Sequence, residues 1–146
     1  MPLIRTEALI PASPERVWAV LADFDRYAEW NPLNIRAKGQ AALGAKIPMT
    51  FLNLAKPGAT LDQTVTVTTC EPARALAWSG RVPLLFKGRH HLTLRPEGEG
   101  TRLLHGEDLS GLIPMGFSPA QIARDFVPAY EAMNRALAAR VAAIAA

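Results

Sequence analysis

The sequence predicts an α+β fold, with helices packed on one face of a curved antiparallel sheet of about seven strands. Three observations carry the prediction. A first strand is followed by two short helix signals. Period-two patterning then runs on to Ser118. The chain closes with one long amphipathic helix, Ser118 to Ile144.

Leu3 to Ile10 reads as a strand, with Ile4, Ala8 and Ile10 on one face and Arg5 and Glu7 on the other. Pro11 ends it. Ser13-Pro14-Glu15 supplies an N-cap, a first-turn proline and an acid near the positive helix end, so a helix carrying Val17, Trp18, Val20 and Leu21 follows. Asp23 opens a second, short helix bearing Phe24 and Tyr27. Trp30-Asn31-Pro32 stops it, because the residue before a proline is pushed out of the α region, and Asn31 is a turn residue. Ile35 to Lys38 adds a short strand. Lys46 to Leu54, Leu61 to Thr69 and Ala75 to Gly80 alternate at period two, and short strands joined by turns pair antiparallel. Phe86 to Arg95 and Thr101 to Leu109 flank Pro96-Glu97-Gly98-Glu99-Gly100, a hairpin signal.

The last segment begins with Ser118 as N-cap, Pro119 at the first helical position and Gln121 placed to complete a capping box. Ile122, Phe126, Tyr130, Met133, Leu137, Val141 and Ile144 recur at steps of three and four, which puts them on one stripe. At 1.5 Å per residue the helix is about 40 Å long. It cannot bury that stripe alone, so the sheet must cover it. Pro128 interrupts the pattern; it deletes the hydrogen bond to Arg124 and is expected to kink or break the helix.

Composition narrows the function classes. At 146 residues a single domain over 1–146 is expected, large enough for a substantial core. The content is 49% apolar and 20% charged, with a net charge of +3. The basic residues are dispersed, which argues against a nucleic-acid footprint. No stretch is long and apolar enough for a membrane span, so stable membrane insertion is not expected. Met1 to Arg5 lacks the charged-then-apolar pattern of a signal peptide, and Cys70 is alone, so a cytoplasmic address is expected. No cofactor is implied. The sequence has no Gly-rich phosphate loop, no Gly-x-Ser-x-Gly elbow and no HExxH. His90 and His91 are strand neighbours facing opposite ways, so no metal site is expected from His90, His91 and His105.

Two regions resemble a known family. Ala12-Ser13-Pro14-Glu15-Arg16-Val17-Trp18, continuing to Asp23 and Tyr27-Ala28-Glu29-Trp30-Asn31-Pro32, is similar to the opening of the polyketide cyclase/dehydrase-like branch of the START-like (SRPBCC) superfamily. His105-Gly106-Glu107-Asp108-Leu109-Ser110-Gly111 and Tyr130-Glu131-Ala132-Met133-Asn134-Arg135-Ala136-Leu137 resemble its last strand and final helix. The resemblance spans essentially the whole chain. It implies a helix-grip fold: a seven-stranded antiparallel sheet gripping the long C-terminal helix, with a cavity between them. The superfamily holds ligand carriers, cyclases, ubiquinone-binding chaperones and pollen-allergen-like proteins, so the resemblance specifies fold more than function. Pro128 is the departure, and it bears on the cavity mouth.

The hairpin sets a register. A four-residue loop from Glu97 to Gly100 puts Pro96 opposite Thr101, His90 opposite Glu107, Leu92 opposite His105 and Leu94 opposite Leu103, all on the inner face. On the outer face Arg89 meets Asp108 as an exposed ion pair, and Lys87 meets Ser110. A histidine and a glutamate thus share the concave face. They suit a polar anchor or a general acid/base pair in an apolar pocket, making His90 and Glu107 the candidate catalytic residues. They equally suit a self-satisfied cross-strand pair. Trp30, Phe51, Trp78, Phe86, His105, Met115, Phe126, Tyr130 and Met133 complete the candidate ligand-binding set, although aromatic and Met residues at such spacing also make ordinary core. Leu112 to Phe117 is an apolar loop that could be a lid, an edge or a packed cap.

Three functions follow as expectations. The first is a binding module holding one small hydrophobic molecule, lipid-like or polycyclic. The second is a polyketide cyclase/aromatase-like enzyme using His90 and Glu107 for proton transfer. The third is a chaperone-like protein-interaction module using the Leu112–Phe117 loop.

Overall fold

The computed structural model describes residues 3–144. Strand β1 (Leu3–Ile10) is followed by helix α1 (Pro14–Leu21) and a 3-10 helix (Phe24–Glu29). Six more strands come next: β2 (Arg36–Ala37), β3 (Lys46–Leu52), β4 (Thr60–Glu71), β5 (Ala75–Val82), β6 (Phe86–Glu97) and β7 (Gly100–Ser110). They form one antiparallel sheet in the order β1-β7-β6-β5-β4-β3-β2. A 3-10 turn at Pro114–Gly116 leads to α2 (Pro119–Gln121), a π-helical segment (Ile122–Phe126) and α3 (Val127–Ile144). This is the helix-grip arrangement: a curved seven-stranded sheet around one long C-terminal helix.

Local chemistry explains the helix ends. The Ser13 hydroxyl accepts from the Arg16 N–H at 3.3 Å, and the Ser118 hydroxyl accepts from the Gln121 N–H at 3.1 Å. Asp23 sits at an N-cap position but makes no capping bond; its carboxylate pairs with Arg26 at 3.3 Å instead. Asn31 turns the chain by accepting from the N–H groups of Leu33 and Asn34, both at 2.9 Å.

Three expectations need correction. The C-terminal helix does not break at Pro128. Proline has no N–H and its ring would strike the Arg124 carbonyl in a regular α-turn. The chain avoids that by widening the preceding turn, where the Val127 N–H reaches the Ile122 carbonyl five residues back. Ile122 and Phe126 stay buried, so the stripe survives as far as Val141, while Ile144 is about half exposed. The β6–β7 loop is shorter than expected: Glu97 pairs with Gly100, and Gly98 takes the left-handed φ of +61° that the tight turn demands. The register is unchanged, with His90 opposite Glu107, Leu92 opposite His105 and Leu94 opposite Leu103. Arg89 faces Asp108 but does not pair with it. Asp108 takes the Arg5 guanidinium at 2.7 Å, and Arg89 donates to the Thr69 hydroxyl at 3.2 Å. Strand β1 lies against β7, bringing Arg5 closer than the register alone could reveal.

The core fills one end of the space between sheet and helix. Ile4, Ile10, Leu76, Leu92, Leu94 and Leu103 from the sheet meet Met133, Leu137 and Val141 from α3 and Val17, Leu21 and Phe24 from the first helices. At the other end inward side chains are missing. Gly80 on β5 and Gly88 on β6 are paired across the sheet on the face that carries Trp78 and His90. A Cβ on Gly80 would run into Gln63, and one on Gly88 would run into the Glu107 carboxylate. The Gln63 and Glu107 side chains therefore lie directly over the two glycines, and all four residues border the space left between sheet and helix.

Candidate functional site

That space is a cavity of about 410 Å³, within the range of small-molecule sites. Phe51, Trp78, Phe86, His90, Glu107, Phe126 and Tyr130 line it, joined by Leu33, Val65, Leu109, Ile113 and Phe117. Leu61, Val82 and Ile113 belong to the lining and are about half exposed, so the cavity opens to solvent on their side.

One wall is polar, and its hydrogen bonds form a continuous chain. The Thr6 hydroxyl donates to the His105 carbonyl at 2.8 Å. Its single proton is thereby used, so it accepts from Asn134 Nδ2 at 2.9 Å. That orients the amide: Asn134 Oδ1 faces His105 Nδ1 at 2.6 Å, and Nδ1 must carry the proton. Burial pushes the His105 imidazole well below its ordinary pKa, and the neighbouring His90 pushes in the same direction, so the ring is neutral. His105 Nε2 is then a bare acceptor, and His90 Nε2, 2.6 Å away, is the donor. His90 Nδ1 is left facing Glu107 Oε1 at 3.2 Å. The Tyr130 hydroxyl donates to the same oxygen at 2.5 Å. Burial, and then the Glu107 charge, raise the Tyr130 phenol well above its usual pKa and keep it a donor. His90 Nδ1 and the Tyr130 hydroxyl thus converge on one oxygen of Glu107. Trp78 and Tyr130 both stack with the His90 ring, at centroid distances of 4.6 and 5.3 Å.

The other predicted residues lie outside the lining. His105 stands behind His90, 1% exposed, and reaches the cavity only through it. Met133 is fully buried core. Trp30 packs edge-on against Tyr27 at 5.3 Å. Met115 is 75% exposed, because the 3-10 turn that draws Ile113 and Phe117 into the lining leaves Met115 in solvent. Among the described residues, no three His, Cys, Asp or Glu side chains converge as a metal-binding group. No described helix is long and apolar enough to cross a membrane.

The sequence matches the family described as polyketide cyclase/dehydrase and lipid transport over residues 1–142. The chain belongs to this family. No curated protein sequence is a significant match. Solved structures show the same fold at low identity. Protein TTHA0849 from Thermus thermophilus is 20% identical with a TM-score of 0.79, covering 99% of this chain and 100% of that one. A START superfamily protein from Mycobacterium smegmatis is 16% identical with a TM-score of 0.75, over 97% and 98% of the two chains. The ZhuI aromatase/cyclase from Streptomyces sp. R1128 is 17% identical with a TM-score of 0.74, over 97% and 93%.

In this member of the polyketide cyclase/dehydrase and lipid transport family, four contributors escaped sequence reading: Thr6, Gly80, Gly88 and Asn134. The glycines left a signal, since each interrupts an inward period-two position. Asn134 left one too, as a polar residue one turn after Tyr130 on the buried stripe; it is 3% exposed. Thr6 left none.

The neutral, buried His105 predicts a pH dependence of stability. Its folded pKa lies well below the 6.5 of an unfolded histidine. Between those values the unfolded chain binds the extra proton, so stability is full above about pH 6.5 and falls on acidification. His91 is lowered as well, chiefly by burial and against the pull of Asp108, and adds in the same direction. The melting temperature should therefore drop from pH 7 towards pH 5, by up to about 1.4 kcal/mol of stability per pH unit for each such proton. His105→Gln should flatten that slope. An unchanged slope would mean that His105 is not buried neutral.

Proposed function

We propose that the protein binds one small, largely apolar molecule, lipid-like or polycyclic, between the sheet and the C-terminal helix, with His90, Glu107 and Tyr130 orienting one polar group of it. The observation that carries this reading is the cavity beside Gly80 and Gly88, lined by aromatic and aliphatic side chains with one polar wall. Burying apolar ligand surface, worth about 25 cal/mol per Å², supplies the driving force, and the polar wall supplies orientation. Family membership supports the reading, because lipid transport is among the family's described roles. Native mass spectrometry of freshly purified protein, followed by extraction of bound small molecules, tests it. A stoichiometric apolar adduct is the expected result. A bare mass, together with no binding of added polycyclic compounds at millimolar concentration, would overturn it.

A second reading has one observation in its favour, the approach of His90 Nδ1 to Glu107 Oε1 at 3.2 Å on the cavity wall. Such a pair suits proton transfer to and from a substrate carbonyl or hydroxyl in a cyclase/dehydratase-like reaction, where general acid–base catalysis contributes roughly 10²–10⁴-fold. Under this reading Glu107→Gln loses turnover by about that factor while an apolar compound still binds with nearly wild-type affinity. Turnover that survives the substitution would remove Glu107 from the chemistry.

A further inference from the structure

Resting on the proposed binding function, we infer that the cavity selects apolar molecules carrying a hydroxyl group that donates a hydrogen bond to Glu107 Oε2, a phenol or a sterol-like alcohol, over molecules whose polar group only accepts. Donors and acceptors along the polar wall decide the preference. The Thr6 proton goes to the His105 carbonyl, the Asn134 amide protons turn towards Thr6, and the His105 Nδ1 proton goes to Asn134. The His90 Nε2 proton goes to His105, and the Tyr130 hydroxyl proton goes to Glu107 Oε1. His90 Nδ1 faces that same oxygen at 3.2 Å. Every donor on the wall is therefore spent inside the wall.

What is left over is an acceptor. None of these bonds uses Glu107 Oε2, which lies over Gly88, where the strand has no side chain. Glu107 and Gly88 both line the cavity. A ligand whose polar group can only accept would leave Oε2 desolvated and unpaired, whereas a hydroxyl satisfies it. A carboxylate ligand would meet Glu107 without a donor between them and is selected against.

Calorimetric titration with three matched probes at neutral pH tests this: 2-naphthol, 2-methoxynaphthalene and naphthalene. The wild-type protein should bind 2-naphthol about 10- to 100-fold more tightly than 2-methoxynaphthalene, the size of one hydrogen bond to an ionisable group. Naphthalene should bind no worse than the methoxy compound. Glu107→Leu should erase the hydroxyl advantage. Gly88→Ala, whose Cβ displaces Oε2, should reduce the advantage, and its thermal melt shows whether it is folded. Equal affinities for the hydroxyl and methoxy probes in the wild type, or an advantage that persists in Glu107→Leu, would overturn the inference while leaving the cavity reading intact. Failure of all three probes to bind the wild type would overturn the binding function and this inference with it.

Discussion

Gly106→Ala should destabilise the fold by about 3–5 kcal/mol, among the largest effects of any single methyl group in this chain. Gly106 lies in β7 and is paired with Arg5 of β1 on one side and His91 of β6 on the other. A Cβ there would sit on the Ile4 carbonyl oxygen. That atom is backbone, so it cannot swing aside as a long side chain would. The β1–β7 ladder would have to part, and β1 carries both Thr6 of the polar wall and Ile4 of the core. Gly116→Ala is the control, since a Cβ there meets nothing within 4 Å; its effect should stay within about 0.5 kcal/mol. Urea midpoints at constant slope measure both. A Gly106→Ala shift below about 1 kcal/mol would mean that the strand pairing tolerates what its geometry forbids.

Asn134→Leu should cost about 2–4 kcal/mol, although it replaces a polar side chain on an apolar stripe with an apolar one of similar size. Two buried partners each lose a bond: the His105 Nδ1 proton loses its side-chain acceptor, and the Thr6 hydroxyl loses its donor while keeping its own bond to the His105 carbonyl. Each unsatisfied buried group costs about 1–3 kcal/mol, more than leucine recovers by packing. For a chain of this length that is a melting point roughly 5–15 °C lower. The loss should extend to ligand preference. Without Asn134, the His105 ring keeps only its bond to the Tyr130 backbone, so the His90 Nε2 proton that it accepts is held less firmly. A leucine variant as stable as wild type would show that the chain of hydrogen bonds contributes no net stability.

The legible parts of the molecule were those written in local pattern. The Ser13-Pro14 and Ser118-Pro119 helix starts, the hairpin around Gly98 and the inner face carrying His90, Leu92, Leu94, Leu103, His105 and Glu107 all follow from capping chemistry, turn chemistry and the two-residue period of a strand. Even a misjudged loop length left the register correct, because Glu97 and Gly100 simply close one more pair. Arg89 shows where such reasoning stops. Strand register places Asp108 opposite it, yet Arg5, distant in sequence, takes the carboxylate.

The candidate site divides in the same way. Its aromatic lining could be listed from the strands and the helical stripe, but the four outliers could not be sorted from it. Trp30, Met115 and Met133 are chemically suited to a pocket, and only their packing against Tyr27, solvent and the core takes them out. His105 sat on the right face, one pair along from Glu107, and proved to work through His90.

The sequence by itself determined the elements, their order, the inner face of the sheet and the pairing of His90 with Glu107, because periodicity and turn chemistry are properties of neighbouring residues. Only the tertiary structure decided that a cavity remains beside Gly80 and Gly88, that the helix absorbs Pro128 in a π-turn, and that Glu107 Oε2 has no hydrogen-bond partner among the described residues. Those outcomes depend on contacts such as Thr6 with Asn134, 128 residues apart, where the direction of a hydrogen bond is settled by what else each atom already holds.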